Sequence, residues 1–136
     1  MRGWVYNPHV GGTKIPPLVQ ASVRQRILKY AAKRHAGKFI RIEVRFHGAL
    51  CYIDAYTEPD LPRGSKPPDG ETRKQWIERL RNTPYHLCRI RYKGNAERWS
   101  FAHYTYSHEK YEPSFFLSGD DHGTPEEAFE TSTLFF

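Results

Sequence analysis

Residues 38–47, KFIRIEVRFH, set Ile40, Ile42, Val44 and Phe46 against Arg41, Glu43, Arg45 and His47 in strict alternation. Side chains alternate between the two faces of a strand, whereas a helix would scatter the same residues around its circumference, so this segment is a half-buried strand. HGA then supplies a glycine turn, and LCYIDAYTE continues with Cys51, Ile53 and Ala55 on one side and Tyr52, Asp54 and Tyr56 on the other. The pair reads as an antiparallel hairpin with one apolar face and one charged, aromatic face. A hairpin of that kind is not stable alone; something must cover its apolar face.

The rest of the chain supplies the cover. Residues 1–16 hold glycines and prolines without periodicity and are expected to form an irregular arm. Pro16 and Pro17 then open a helix of about five turns, with Val19, Val23, Ile27 and Tyr30 or Ala31 at helical spacing. Arg24, Arg26, Lys29, Lys33 and Arg34 fall largely elsewhere on its circumference, and Gly37 ends it. Residues 58–70, EPDLPRGSKPPDG, carry four prolines and two glycines and read as a surface loop within the domain. ETRKQWIERLRN follows as a short helix with Trp76, Ile77 and Leu80 as its apolar stripe, closed by Thr83-Pro84.

Three further strands are expected: YHLCRIRYK with Cys88, Ile90 and Tyr92 inward, RWSFAHYTY, and YEPSFFLSG, joined by GNAE and SHEK turns. GTPEEAFET is a helix start, with Thr124 as N-cap, Pro125 first in the helix and Glu127 completing a capping box. STLFF ends the chain as a strand or an apolar tail. The order α-β-β-α-β-β-β-α, with strands in runs, implies an α+β fold: a two-layer domain with a mainly antiparallel sheet of about five strands and helices on one face. At 136 residues the chain suits one globular domain, residues 17–136, following the arm.

Charge bears on partners. The net +6 is uneven: residues 1–99 hold 20 Lys and Arg against 8 Asp and Glu, whereas residues 100–136 hold 1 against 7. A basic body raises the expectation of a polyanionic partner, and the acidic end is able to fold back over it. No apolar run is long enough to span a membrane and MRGWVYNPHVGG lacks a secretory signal, so the expected location is cytoplasmic, without membrane association. Cys51 and Cys88 lie in apolar strand patterns and read as small core residues.

The polar side of the sheet would gather Arg41, Arg45, His47, Tyr52, Asp54, Tyr56, Arg89 and Arg91. In the fourth strand, turning Trp99 and Phe101 inward buries the larger apolar area and leaves Tyr104 and Tyr106 facing out. Arginines neutralise phosphates and aromatic rings stack on bases, so the expectation is a binding module for RNA or single-stranded DNA, using Arg41, Arg45, Tyr52, Tyr56, Arg89, Arg91 and Tyr104. The alternative is a protein-interaction or assembly face, such as a homodimer contact, since Tyr and Arg are also enriched at binding hot spots.

Catalysis is the third reading. His47, His86 or His108 as acid and base, with Arg45 and Arg91 stabilising a phosphorane, would make a small metal-independent ribonuclease. No pair at fixed local spacing demands it, so the residues lean away from an enzyme. His103, His108, Glu109, Asp120, Asp121 and His122 have poor metal-ligand spacing, and no cofactor is expected. P-loop, dinucleotide-binding, H-E-x-x-H and G-x-S-x-G patterns do not occur in the chain.

LCRIRYKGNAERWSFAHYTYSHEKYEP, with the later TPEEAFE and terminal LFF, resembles a family of small bacterial proteins classed only as a domain of unknown function. Its pattern is a strand with Arg-Tyr, a Trp-centred strand, a Tyr-rich strand and a closing Phe-Phe. The likeness spans residues 86–136; this chain stops at Phe136 where the family tends to add a glycine, and its proline-rich loop is longer. The resemblance implies no activity, cofactor or site residue, only that Trp99 to Phe136 belongs to the domain.

Overall fold

The computed structural model describes residues 11–134. Helix α1 (Pro17–Arg34) is followed by β1 (Arg41–His47), β2 (Leu50–Tyr56), α2 (Arg73–Arg81), β3 (Tyr85–Tyr92), β4 (Trp99–Thr105), β5 (Lys110–Pro113), β6 (His122–Gly123) and α3 (Pro125–Thr133). The first five strands form an antiparallel meander in chain order, and β6 pairs with β4 beyond the end of β5. The α+β architecture expected from the sequence is the one observed, with the short β6 added between the fifth strand and the last helix.

One face carries the core. Val23, Ile27 and Ala31 of α1 and Ala128 and Phe129 of α3 close over Val44, Cys51, Ile53, Cys88, Ile90, Trp99 and Phe101. Trp99 and Phe101 do point inward, opposite Tyr92 and Ile90 across the β3–β4 ladder. Phe129 is the hub between helices and sheet: its ring meets Tyr30, His35 and Phe39 edge-on, with centroids 6.1, 5.5 and 5.9 Å away. The capping box at Thr124 and Glu127 forms, with the Thr124 hydroxyl accepting from the Glu127 N–H and the Glu127 carboxylate accepting from the Thr124 N–H.

Three local readings are corrected, and the arm is found docked. The fifth strand ends at Pro113, because the ring cannot donate to a ladder; residues 114–120 turn, burying Phe116 and exposing Phe115 and Leu117. Residues 132–133 continue α3 rather than starting a strand or tail; the final two residues lie outside the described ones. Helix α2 buries none of its residues fully; Trp76, Ile77 and Leu80 are half-buried, so the helices on the sheet are α1 and α3. The arm is irregular over residues 11–16 but docked: Thr13 N–H donates to the Tyr92 carbonyl, Ile15 N–H to Gly48, and the Ile15 side chain is fully buried. Gly12 allows this. With φ at +91° and an added Cβ only 2.8 Å from the Tyr92 carbonyl oxygen, no other residue fits. The remainder of the expected arm, residues 1–10, falls outside the described residues.

Glu126 and Glu130 of the acidic end meet α1 and the residue that caps it rather than the sheet's polar face. Arg26 holds Glu97 from the β3–β4 turn at 2.6 Å and Glu126 of α3 at 2.7 Å, and His35 meets Glu130 at 2.6 Å. The free thiols sit in the core, where burial pushes Cys88 up to about 12 and Cys51 well above the usual thiol range.

Candidate nucleic-acid interface

The sheet face turned away from α1 and α3 is built by cross-strand pairing. Arg41 stands opposite Tyr56, Arg45 opposite Tyr52, and Tyr52 opposite Arg89. On the far side Arg89 faces Ala102, Arg91 faces Ser100, and Tyr104 faces Tyr111. The small partners Ala102 and Ser100 leave room for arginine stems to cross the strand, and both are buried.

Arginines and tyrosines stack in pairs. The Arg41 guanidinium lies 3.7 Å from the Tyr56 ring centroid, Arg45 lies 5.0 Å from Tyr52, and Arg89 lies 5.3 Å from Tyr111. The rings themselves form a continuous row. Tyr52 meets Tyr111 at 5.5 Å, Tyr111 meets Tyr104 at 5.0 Å, Tyr104 meets His86 at 4.9 Å and Tyr106 at 4.7 Å, and Tyr106 meets Tyr85 at 4.9 Å. Burial raises the Tyr111 and Tyr106 phenols above their ordinary value, with the nearby Asp54 charge adding to it, so both keep their protons at neutral pH.

At the centre sits Asp54, only 2% exposed. A carboxylate buried in a central strand is costly unless its oxygens are filled, and here both are. Oδ2 accepts from Arg45 Nε and Nη2 at 3.2 and 2.9 Å, and Oδ1 lies 2.8 Å from His86 Nδ1. Glu43 stands directly across the ladder from Asp54, a like-charge pairing that Arg45 relieves by lying 3.7 Å from Glu43 as well. The Tyr56 hydroxyl also donates to Glu43.

His86 reaches this face through a bulge. Ile53 pairs with Cys88 but Asp54 pairs with His86, so Leu87 is an extra residue in β3 and the alternation reverses beyond it. Counting outward from Cys88 by twos would have placed His86 in the core. The bulge instead sets its ring beside Asp54, while the His86 backbone N–H donates to the Tyr106 hydroxyl at 2.8 Å.

Of the residues expected to bind, Arg41, Arg45, Tyr52, Arg89 and Tyr104 share this face with side chains exposed or half-buried. Two are withdrawn from it. Tyr56 is 6% exposed beneath Arg41, and Arg91 is 8% exposed with its Nη1 donating to the Gly11 carbonyl at 2.7 Å, where the docked arm covers it. Tyr111 and His86 belong to the row without having been singled out as binding residues. Tyr111 was findable from the SHEK turn, which places it opposite Tyr104; the bulge leaves no mark in the residue pattern.

The other histidines are elsewhere. His47 is exposed at the end of β1, and His108 is engaged with Glu112 across the β4–β5 turn. Among the described residues no three His, Cys, Asp or Glu side chains converge as a metal ion requires. No helix among them is long and apolar enough to cross a membrane. No protein-family model matches the chain, and no match is found among the curated proteins or the solved structures compared with it.

Proposed function

We propose that the chain binds single-stranded nucleic acid across this sheet face. The observation that carries the reading is the unbroken row Tyr52, Tyr111, Tyr104, His86 and Tyr106, bordered by Arg41, Arg45 and Arg89. Unpaired bases offer flat π-faces to such rings, while the arginines meet the phosphates running alongside. A duplex keeps its bases stacked inside and has no use for a row of rings, so a single strand is the better partner.

The geometry bounds the charge contribution. Of the three arginines Arg45 is already paired with Asp54, so Arg41 and Arg89 neutralise about two phosphates, and for single strands the slope of log affinity against log salt is about −0.7 per phosphate, or about −1.4 in all. Affinity for a labelled single strand should then fall roughly 7-fold between about 50 and 200 mM salt, with the larger share of binding coming from stacking. Tyr104→Ala should weaken binding by about 5- to 150-fold at every salt concentration, whereas Arg41→Ala should flatten the slope by about 0.7. A chain that retains no strand at low salt would overturn the reading and leave the face as a contact for another protein or a second copy.

A further inference from the structure

His86 and Asp54 form a dyad that a stacking platform does not need. Nδ1 of the imidazole is held by the buried carboxylate, which leaves Nε2 as the ring's free edge on a side chain still 31% exposed. A carboxylate behind one nitrogen fixes the ring's orientation and tautomer and stabilises the imidazolium when the other nitrogen accepts a proton. Arg45 grips the same carboxylate through Nε and Nη2, so guanidinium and imidazole share one buried anchor, with Nη1 outside that pairing. Tyr106, whose oxygen already accepts from the His86 backbone N–H, keeps its own proton to donate elsewhere, and its ring lies parallel to the imidazole within 12° at 6.5 Å.

Together these groups supply a base, a cation and a neutral acid within one hydrogen-bonded cluster on the row. We propose that the bound strand is RNA and that His86 cleaves it as a general base, with Asp54 as its positioning residue. The proposal rests on the single-strand reading above. His86 Nε2 takes the proton of a ribose 2′-hydroxyl, the 2′-oxygen forms a bond to the adjacent phosphorus, and the bond from phosphorus to the 5′-oxygen breaks. Arg45 offsets the charge gathering on the phosphorane oxygens. The leaving 5′-oxygen takes its proton from the Tyr106 hydroxyl, and the imidazolium returns a proton through water to restore the tyrosine. The products are a 2′,3′-cyclic phosphate and a 5′-hydroxyl, with no water consumed and no metal required. The bulge at Leu87 is what assembles the site, since it alone sets His86 on the face that carries Asp54.

Other features carry less. The cleft of about 360 Å³ between the end of α1 and β1, lined by Leu28, His35, Phe39 and Ile42, has its histidine committed to Glu130. The exposed Phe115 and Leu117 form an apolar patch with nothing in the structure to say what covers it.

The test uses three fluorescent strands of one sequence, in chelator: all RNA, all DNA, and DNA with a single internal ribonucleotide. Binding is read by anisotropy and cleavage by single-turnover rate at saturating protein, so that changes in affinity drop out. The expected result is binding of all three strands, scission of the RNA, and scission of the mixed strand only after its ribonucleotide, leaving a cyclic phosphate. His86→Gln, purified in parallel, should lose at least about 100-fold in rate. Asp54→Asn should lower the rate and displace its pH profile, a change that a merely structural aspartate would not produce in protein that remains folded. Folding of each variant is checked by protection of Cys51 and Cys88 from thiol reagents. Strands that bind and stay intact would overturn the inference but not the binding reading, as would His86→Gln cleaving at the parental rate. Strands that do not bind at all would overturn both.

Discussion

Replacing Asp54 by alanine tests whether the centre of the sheet face is built as described. The substitution removes the acceptor of two Arg45 N–H bonds and one His86 bond, all to a carboxylate 2% exposed. Breaking a fully buried ion pair costs about 3 to 5 kcal/mol, because the orphaned partner stays out of water. Here the partners have an escape. The Arg45 side chain is 46% exposed and that of His86 31%, so both regain hydration, and the expected loss falls to about 2 to 3 kcal/mol. An asparagine in its place would keep one acceptor of the right shape, so Asp54→Asn should cost about 1 to 2 kcal/mol. Urea unfolding followed by tryptophan fluorescence gives these values directly, since Trp99 is wholly buried beside Tyr92. In a chain of this size the alanine variant should melt roughly 10 °C lower. A double-mutant cycle with Arg45→Ala should return a coupling of at least about 1 kcal/mol, as groups sharing one network do. A loss below about 0.5 kcal/mol, or additivity in the cycle, would refute the reasoning: the carboxylate would then be hydrated and the dyad unsupported.

Phe129→Ala should cost about 3 to 5 kcal/mol, the cost of a buried aromatic whose neighbours cannot collapse into the space, and calorimetry will show whether it does. Thr124→Ala removes one half of a capping box and should cost about 1 kcal/mol by urea unfolding. Acid should destabilise the fold in part through Glu97, whose carboxyl Arg26 holds below its ordinary value of 4.5 by hydrogen bonding. That contribution is present above the ordinary value and is lost as pH falls through the depressed folded one, so Arg26→Met should lose less stability than the parent between neutral and acid pH. Cys51 and Cys88 should resist thiol reagents in the native protein, because burial raises both, and should react on unfolding; fast modification of the folded chain would contradict the core packing.

Residue pattern alone determined most of the architecture. Alternation over residues 38–47, the prolines at 16 and 17, the capping box at Thr124 and the helical spacing of Val23 and Ile27 are local signals, each complete within a few turns or one strand. Local steric and hydrogen-bonding preferences act on such segments directly, so α1, the hairpin, the meander and α3 follow from them. The inward choice of Trp99 and Phe101 follows too, because packing two large rings into the apolar core gains more than packing Ser100 and Ala102 there.

Tertiary structure decided what the pattern could not express. Arg91 reads as an open-face arginine, yet it is covered because residues 11–15 dock on the sheet's end, a contact spanning about 80 residues that no local period encodes. Tyr56 likewise reads as exposed, but Arg41 lies across it. His86 shows the limit most sharply. Whether it enters the core or joins Asp54 depends on a single extra residue in β3, and a bulge arises where the twist of neighbouring strands and the packing of Leu87 and Cys88 are best satisfied together. The chain's residues supply an aspartate, a histidine and an arginine at positions 54, 86 and 45; only the ladder between β1, β2 and β3 makes them one site.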